Sequence, residues 1–511
     1  MRATLNTLEV ALGSSAIALL VGGGLAILLA SSRLATRRAI AFLLILSVMI
    51  APQVAALAFK TLAGPASPIL KAMALAPPPG TRNPLLGSFG IILVMGLHHA
   101  PLVAITLAGG LAAIPRSLIE AAQLDGASAP RILISVLLPL LRPYAVAAAL
   151  LVFVAGVGNF GIPALLGLPV GYVTLPTLIY QKLASFGPRL ITDAAALSLL
   201  VGSIAAMGVV AALALSPREA TRLDADERLA PFLDFGRGRL VVEGAVWLFL
   251  AVTILLPMLS LLATALVPAY GVALTWDTFT LSRFTEVLIR QSVTLRALTN
   301  SLMLAGSAAV SLAVLSILIG YAVERRGKRW RVPALTLIEM PYALPGVVLA
   351  IACILLFLKP LPLIGISLYA TPWIILFAYH ARFLPVVLKP VLAALATQER
   401  DSEDAAAVYG ASLLQRLCYV IVPHVLPAAV AGGMLAFLFA FNELTVSALL
   451  WSAGTETIGV ALLSLEDAGL GAEAAAIGVV TIVVVATLMF VLDALHRWFP
   501  RDVLPWRIIA R

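Results

Sequence analysis

The chain has 511 residues, of which 61% are hydrophobic and 12% are charged, and its mean hydropathy is +1.06. A soluble core of this size cannot bury so much apolar surface, so the composition excludes a soluble globular protein and indicates an integral membrane protein. The formal charge of +9 would suggest nucleic-acid binding in a soluble chain, but here it fits the basic excess that orients membrane helices. The two cysteines, Cys353 and Cys418, are spaced for neither a disulfide framework nor a metal site.

Eleven stretches are long and apolar enough to cross a bilayer, since a helical span needs about 20 mostly apolar residues. They are continuous apolar runs, unlike the alternating segments of about 10 residues in a membrane β-barrel. We therefore predict an all-α membrane protein. The predicted spans lie near residues 8–30, 39–58, 87–113, 144–168, 194–215, 241–266, 302–323, 334–358, 367–396, 425–450 and 474–495.

The distribution of basic residues predicts the orientation of the chain. If the loop 31–38 is cytoplasmic, the segments on that side carry 22 Lys or Arg residues and those on the opposite side carry 10. Because cytoplasmic loops are enriched in Lys and Arg, this bias predicts an external N-terminus and a cytoplasmic C-terminus. The first apolar run lacks a small-residue cleavage site, so we interpret it as a span and not as a signal peptide.

The segment 216–239 is the one long stretch that is rich in charges of both signs. It predicts a solvated, charged cytoplasmic linker between a first transmembrane half, residues 1–215, and a second transmembrane half, residues 240–511. The same boundary separates the two copies of an internal repeat.

Two polar loops align without a gap when Glu120 is placed over Asp404. The first, residues 120–143, reads EAAQLDGASAPRILISVLLPLLRP, and the second, residues 404–427, reads DAAAVYGASLLQRLCYVIVPHVLP. Both loops fall on the predicted cytoplasmic side. We therefore predict two parallel repeats, related by an axis along the membrane normal, with a pore between them.

In each loop the sequence predicts a short helix of small residues, Glu120 to Ala127 and Asp404 to Ala411. Because small side chains project little from the helix, a partner surface can approach it closely. An acidic residue at the start of such a helix suits the helix dipole. Gly126 and Gly410 permit either a turn with positive φ or a close backbone contact. Paired prolines are expected to break the helix where the chain re-enters lipid, and these are Pro139, Pro143, Pro423 and Pro427.

The pattern EAA-x-x-DGA-S followed by LP-x-x-x-(R)P resembles the cytoplasmic coupling motif of permeases in binding-protein-dependent ABC importers. Its two copies resemble the fused permeases of the iron(III) and thiamine type, and the resemblance covers essentially the whole chain. In this family the short helix of each loop docks into a groove of a separate ATPase subunit. Carried over, the ATPase-coupling residues would be Glu120, Ala121, Ala122, Asp125, Gly126, Ala127, Asp404, Ala405, Ala406, Tyr409, Gly410 and Ala411.

The chain departs from the family pattern in two places. Asp404 replaces the glutamate of the second copy and Tyr409 replaces its aspartate, so the two docking contacts are expected to be unequal; Glu403, one residue earlier, is a partial substitute for the missing acid. The first half has five predicted spans and the second has six, whereas relatives carry an additional leading helix. We expect either that this lineage lost that helix or that the true start lies upstream.

Ionisable side chains inside membrane spans are costly and therefore point to function. The candidates are His98, His99, Glu339, His380 with Arg382, and Glu443. Most are expected to hold helices together. Asn159 and Glu443 are the exception, because they align across the repeat near the external ends of equivalent helices. Together with Asn442, they are predicted to lie on the translocation path.

The resemblance implies a multi-pass permease of the bacterial inner membrane that is driven by two ATPase subunits and supplied by a periplasmic or lipid-anchored solute-binding protein. No G-x-x-x-x-G-K-[ST] loop occurs in the sequence, so ATP hydrolysis is assigned to the partner. No enzyme site, metal or cofactor is predicted. Iron(III) is the favoured cargo, with thiamine, phosphonates and polyamines as competitors. The alternatives from other classes are an ion-coupled secondary transporter and, with less support, a membrane-embedded enzyme.

Overall fold

The computed structural model describes residues 1–185, 189–215, 232–233, 235–325, 328–361, 365–398, 400–495 and 498. Within these residues the regular secondary structure is helical, and the only β-type pairing is an isolated bridge between Ser32 and Leu233. The prediction of an all-α protein is confirmed.

The described helices fall into two series, before and after the linker. The first series is α1 Arg2–Ser31, α2 Arg37–Met49, α3 Pro52–Ala63, α4 Pro68–Ala72, α5 Ser88–Ala112, α6 Arg116–Leu124, α7 Ala129–Ile132, α8 Leu138–Val157, α9 Gly161–Leu166, α10 Leu175–Leu183 and α11 Leu190–Leu215. The second series is α12 Arg239–Leu250, α13 Leu256–Ala265, α14 Ser282–Thr285, α15 Ser292–Arg325, α16 Lys328–Ala343, α17 Gly346–Phe357, α18 Pro372–Thr397, α19 Arg400–Val408, α20 Leu413–Arg416, α21 Val422–Phe441, α22 Ser447–Leu450, α23 Ile458–Asp467 and α24 Gly471–Ala494.

Nine helical stretches among the described residues are long and apolar enough to cross a membrane, and they correspond to nine of the eleven predicted spans. Three more candidates are pairs of helices that bend sharply at a short break. Two of these pairs replace the predicted spans 39–58 and 334–358. The third pair, Gly161–Val170 with Leu175–Leu183, bends by 78° and is absent from the predicted set.

The predicted spans 39–58 and 334–358 are wrong in shape, because each is a bent pair and not one straight helix. The bends are 101° between α2 and the segment that starts at Pro52, and 105° between α16 and α17. Ala51, which precedes Pro52, has ψ 137°, and Pro345 has ψ 139°. Pro52 disfavours the helical region for Ala51, the residue before it, whereas at the second bend the extended residue is Pro345 itself, which precedes the first residue of α17.

The paired prolines of the two loops do not break the helix, contrary to the prediction. Pro139 lies in the first turn of α8 and Pro143 lies inside α8. A π-helical turn, Leu133–Leu137, directly precedes the first proline, and its equivalent, Leu417–Ile421, precedes Pro423. The helical path therefore continues through the prolines, with its wider turn placed immediately before them.

The internal repeat is reproduced in the boundaries of the helices. α6 and α19, α7 and α20, the two π-helical turns, and α8 and α21 all begin and end at positions that the alignment of Glu120 with Asp404 pairs. Equal sequence spacing thus gives equal local structure in both copies, from the short loop helix through the following span.

Residues 1–286 and 465–479 form one compact unit, and residues 287–464 and 480–495 belong to another. The first unit includes α12 and α13, although these helices follow the linker. α13 packs against α3. Glu243 of α12 accepts hydrogen bonds from the backbone N–H and the hydroxyl of Thr36, at 2.7 and 2.5 Å, at the start of α2. The predicted boundary at 216–239 divides the repeat, whereas the compact units divide the chain elsewhere.

Two residues of the predicted linker, Phe232 and Leu233, pack against the end of α1, while residues 216–231 of that prediction lie outside the described residues. The backbone N–H groups of Phe232 and Leu233 both donate to the carbonyl of Ser31, at 3.0 and 2.9 Å. The Phe232 side chain is 9% exposed and belongs to an apolar cluster that also contains Ile119 of α6. These two residues are therefore packed, whereas Gly236 and Gly238, which follow them, are exposed.

We predict that Phe232→Ala destabilises the protein by about 3 kcal/mol, because it removes a large buried side chain from an apolar cluster. Thermal unfolding of the purified chain in detergent measures the change. Phe279→Ala is the matched control, since Phe279 is 51% exposed, and we expect it to change stability by less than about 0.5 kcal/mol. Equal unfolding temperatures for the two variants would contradict the docking of the linker.

Candidate functional site

The first loop helix, α6, begins after Pro115 and ends at Leu124. Gly126 follows with φ +75°, in the left-handed region. Its N–H donates to the carbonyl of Gln123 at 3.0 Å, and the N–H of Ala127 donates to the carbonyl of Ala122 at 2.9 Å. These two bonds form a Schellman motif, which pairs carbonyl groups that the end of a helix otherwise leaves free.

The second loop helix, α19, ends in the same way. Gly410 has φ +80°. The N–H of Gly410 donates to the carbonyl of Ala407 at 3.0 Å, and the N–H of Ala411 donates to that of Ala406 at 3.0 Å. The two predicted glycines therefore occupy the same backbone conformation at the same position of the repeat.

The glycines are required for the turn and not for a close approach within the chain. A β-carbon at Gly126 or Gly410 would meet no atom within 4 Å. The positive φ is the constraint, because an L-residue with a side chain adopts this region at a cost of about 1–2 kcal/mol. Of the two reasons that the sequence leaves open for these glycines, the structure supports the turn.

The acidic residues Glu120 and Asp404 do not lie at the start of the loop helices, contrary to the prediction. α6 starts at Arg116, so Glu120 is its fifth residue, and the Glu120 carboxylate accepts a hydrogen bond from Arg116 Nε at 2.5 Å on the exposed surface. Asp404 is likewise the fifth residue of α19. The dipole argument for these two positions is wrong, because both lie more than a turn from the helix start.

The tips of both loop helices are exposed, and they include large apolar side chains. Leu124 is 89% exposed and Val408 is 85% exposed. Ala121, Asp125, Ala405 and Tyr409 are also exposed, whereas Ala122, Ala127, Ala406 and Ala411 are half-buried against the body of the protein. Each loop helix thus leaves one face exposed, with an almost fully exposed aliphatic side chain at its end.

Glu403 is not an exposed substitute for the acid that the second copy lacks, and that interpretation is wrong. The Glu403 side chain is 5% exposed, and its carboxylate points to the body of the protein. It accepts a hydrogen bond from the Tyr321 hydroxyl at 2.6 Å and forms ion pairs with Arg325 and with Arg416, the latter at 3.6 Å.

Asn159 and Glu443, the aligned pair predicted for the translocation path, have the same local role. The Asn159 side-chain oxygen accepts a hydrogen bond from the N–H of Ile162 at 3.1 Å, and Glu443 Oε1 accepts one from the N–H of Val446 at 2.8 Å. Each therefore pairs a backbone N–H group where a span gives way to the short helix that follows, α9 or α22. Asn442 donates through Nδ2 to the carbonyl of Leu438 at 3.0 Å, within its own span.

Two predicted spans run too far along the chain because each contains a break in the helix. The span 144–168 continues past the end of α8 at Val157, and the span 425–450 continues past the end of α21 at Phe441; the apolar residues beyond belong to α9 and α22. Continuous hydrophobicity hides these breaks, because the few polar residues at them lie between apolar residues on both sides.

The Glu443 carboxylate also faces the guanidinium group of Arg382, which the sequence analysis groups with His380. Arg382 Nε lies 3.8 Å from Glu443 Oε2, and the two side chains are 22% and 12% exposed. His380, which the sequence places with Arg382, instead contacts the Ser311 hydroxyl at 2.6 Å and the Leu376 carbonyl at 2.8 Å. His380 thus joins α15 to α18, as expected of a residue that holds helices together.

The remaining ionisable candidates have other contacts. Glu339 forms an ion pair with Lys389 at 3.2 Å, and His98 and His99 have ring centroids 5.7 Å apart in α5. Among the described residues, no group of three or more His, Cys, Asp or Glu side chains is arranged to hold a metal ion.

Comparison with known proteins identifies both halves of the chain. The family described as "Binding-protein-dependent transport system inner membrane component" matches residues 18–219 and again residues 313–505. The chain is similar to the probable ABC transporter permease protein y4fN of Sinorhizobium fredii, with 26% identity over 80% of this chain and 72% of that protein. It is also similar to the ferric transport system permease protein FbpB of Actinobacillus pleuropneumoniae, with 23% identity over 81% of this chain and 59% of that protein.

A third relative matches less than half of this chain. The putative 2-aminoethylphosphonate transport system permease protein PhnV of Salmonella choleraesuis is 26% identical over 43% of this chain and 81% of its own length. Two matches to one family model, together with loop helices that repeat in register, show a duplicated permease. The chain therefore belongs to the family of inner-membrane components of binding-protein-dependent transport systems, of which it carries two copies in one polypeptide.

Proposed function

We propose that this chain is the membrane-spanning permease subunit of an ATP-driven importer, which receives its solute from a periplasmic or lipid-anchored binding protein. The observation that carries the proposal is the pair of loop helices. Both are closed by the same glycine turn, both expose a large aliphatic side chain at the tip, and both stand at the same position of the repeat.

Each loop helix would dock in a groove of one ATPase subunit through the face that contains Leu124 or Val408. Burial of an aliphatic side chain contributes roughly 1.5–3 kcal/mol, so two tips supply a useful part of a docking interface. Glu120, Asp125 and Asp404 flank the exposed faces and would contact basic groups of the partner. Since the first face carries two acids and the second carries Asp404 and Tyr409, the two contacts are unequal.

Iron(III) is the cargo we favour, because of the resemblance of the sequence to iron(III) permeases and the ferric relative that spans most of the chain. Phosphonates are the main competitor, since a phosphonate permease is 26% identical over one half. Thiamine and polyamines are further competitors. A ligand screen on the binding protein encoded beside this chain distinguishes them, and tight binding of an organic solute with no response to iron(III) would exclude the iron assignment.

An ion-coupled secondary transporter remains the alternative from another class. It has no need of two exposed docking helices with equal turns. Uptake into cells depleted of ATP, with the ion gradients maintained, separates the two functions: an importer of the proposed kind stops, whereas a secondary transporter continues.

The orientation of the chain can be tested by labelling single cysteines in a variant without Cys353 and Cys418. We predict that positions 226 and 328 react only from the cytoplasm and that positions 78 and 275 react from outside, because of the bias of 22 against 10 basic residues. Reaction of position 226 with an impermeant reagent added outside intact cells would reverse the proposed arrangement.

We predict that Gly126→Glu and Gly410→Glu each give a stably inserted protein that has lost ATP-driven uptake. A side chain at either position strains the left-handed turn and projects from the docking face. The variant in the first loop should be the more damaging one, since that loop keeps both acids. Co-purification of the ATPase subunit and solute uptake are measured for each variant.

Two further variants control this test. Gly126→Asn should retain more activity than Gly126→Glu, because asparagine tolerates the left-handed region. Gly238→Glu should behave as the unmodified protein. Gly238 is exposed and has φ −74°, and a β-carbon added at this position would have no other atom within 4 Å. Full coupling in both loop variants would show that the loops are simple connectors, and loss of membrane insertion would show that the glycines serve folding.

We predict that Glu443→Ala and Glu443→Gln both reduce transport while the ATPase still assembles, because both remove the charge that faces Arg382. The two differ in stability: glutamine keeps the oxygen that accepts from the Val446 N–H, whereas alanine loses this hydrogen bond, at a cost of about 1 kcal/mol. Uptake assays and thermal unfolding are compared for the pair. Normal uptake by Glu443→Ala would reduce Glu443 to a packing role, and normal uptake by Glu443→Gln alone would assign its effect to the hydrogen bond with Val446.

A further inference from the structure

One position of the repeat has opposite chemistry in the two copies. Ile119 and Glu403 are paired by the alignment of the repeats, each is the fourth residue of its loop helix, and each turns inward. Ile119 is 2% exposed and Glu403 is 5% exposed. The same site thus holds an aliphatic side chain in the first loop helix and a carboxylate in the second.

The Ile119 side chain lies in an apolar environment. It belongs to a cluster that includes Leu107 and Leu111 of α5, Ile132 of α7 and Phe232 of the linker. Such packing is non-directional, since its strength depends on buried area and not on the alignment of atoms. The first loop helix is therefore held to the protein by hydrophobic contact.

Glu403 is held by donors from two other elements. The Tyr321 hydroxyl and the Arg325 guanidinium come from the last turns of α15, and Arg416 comes from α20. The Arg325 guanidinium carbon also lies 5.1 Å from the centre of the Tyr321 ring, so the two donors of α15 brace each other. The apolar cluster of the same unit, which includes Ile317, Val391 and Ile421, contains no described residue of α19.

A buried carboxylate is tolerated only when its charge is compensated and its oxygens accept hydrogen bonds. Burial would raise the pKa of Glu403, but the hydrogen bonds from Arg325 and Tyr321 and the charges of Arg325 and Arg416 outweigh it, so the pKa lies below its usual value. Charge-assisted hydrogen bonds are strong and directional, and they fix the position of a helix more narrowly than apolar packing does.

We propose that Glu403 is a positioning residue, which fastens the second loop helix to the end of α15 so that movement of the loop passes directly into that span. The proposal rests on the proposed function, in which the loop helix carries the motion of the ATPase. The first loop helix transmits motion through packing around Ile119. The two loop helices thus transmit the motion of the ATPase through different contacts: the first through apolar packing and the second through the more rigid hydrogen bonds and ion pairs of Glu403.

The position of the second loop helix can be measured in the isolated permease, without the ATPase. Spin labels at Val408→Cys and Leu318→Cys, in a background without native cysteines, report the distance from the loop helix to α15; both native side chains are exposed, at 85% and 45%. We expect one narrow distance distribution for Glu403 and a broad one for Glu403→Gln, which keeps the shape of the side chain but removes its charge. A narrow, unshifted distribution in Glu403→Gln would overturn the proposal.

The effect on coupling is measured with the whole complex in proteoliposomes, as solute transported per ATP hydrolysed. We expect Glu403→Gln to keep the ATPase bound, because the first loop still docks, and to lower this ratio about fivefold or more. Tyr321→Phe removes one donor and should give a smaller loss in the same direction. Asp401→Asn is the matched control: it removes a negative charge from an exposed side chain of the same helix and should leave the ratio unchanged. A normal ratio in both Glu403→Gln and Tyr321→Phe would also overturn the proposal.

Failure of the positioning role can be told from failure of the docking role. Val408→Asp places a charge on the exposed tip and leaves Glu403 and its donors in place. If Val408→Asp leaves ATPase binding and coupling unchanged, the loop helix is not a docking element, and the proposed function fails at this site. The spin-label distances still decide whether Glu403 holds the helix.

Discussion

Lipid offers no hydrogen-bonding partner, so a chain that crosses the membrane must pair its own backbone groups at every bend, turn and helix end. Several of the places where the helices of this protein stop fit this constraint. The two sharp bends occur at Pro52 and Pro345, each of which has no N–H group of its own to pair. Before the short helices α9 and α22, the side chains of Asn159 and Glu443 accept hydrogen bonds from backbone N–H groups. The loop helices have exposed tips, and they end in turns whose N–H groups pair with the last carbonyls of the helix.

The fold was largely predictable because its main signals are local. Long apolar runs predict the spans, and identical glycine and proline spacing predicts the repeat. The bends at Pro52 and Pro345 were within reach of the sequence, since an X-Pro step inside an apolar run favours a break. The helix breaks at 158–160 and 442–446 were not, because apolar residues on both sides conceal them from any measure of hydropathy.

The functional residues were predicted unevenly for the same reason. Gly126 and Gly410 are determined by the turn that contains them, so their spacing alone locates both loops. The partners of Glu403 lie far upstream, at Tyr321 and Arg325 of α15, and no local pattern links them. The sequence therefore does not indicate that the Glu403 side chain points into the protein, and it predicts an exposed acid there instead. Arg382 was likewise grouped with its sequence neighbour His380, although its partner Glu443 lies beyond the end of α21.

The composition of the first compact unit has a consequence for how the protein is made. That unit requires α12 and α13, which follow the linker, and residues 465–479, which lie near the end of the chain. A ribosome that has completed the first repeat has therefore produced only part of this unit. Before α12 and α13 are synthesised, the surface of α3 and the polar groups of Thr36 lack the contacts that they have in the folded protein. Separate expression of the two repeats would divide this unit between two chains, which would then have to associate to complete it.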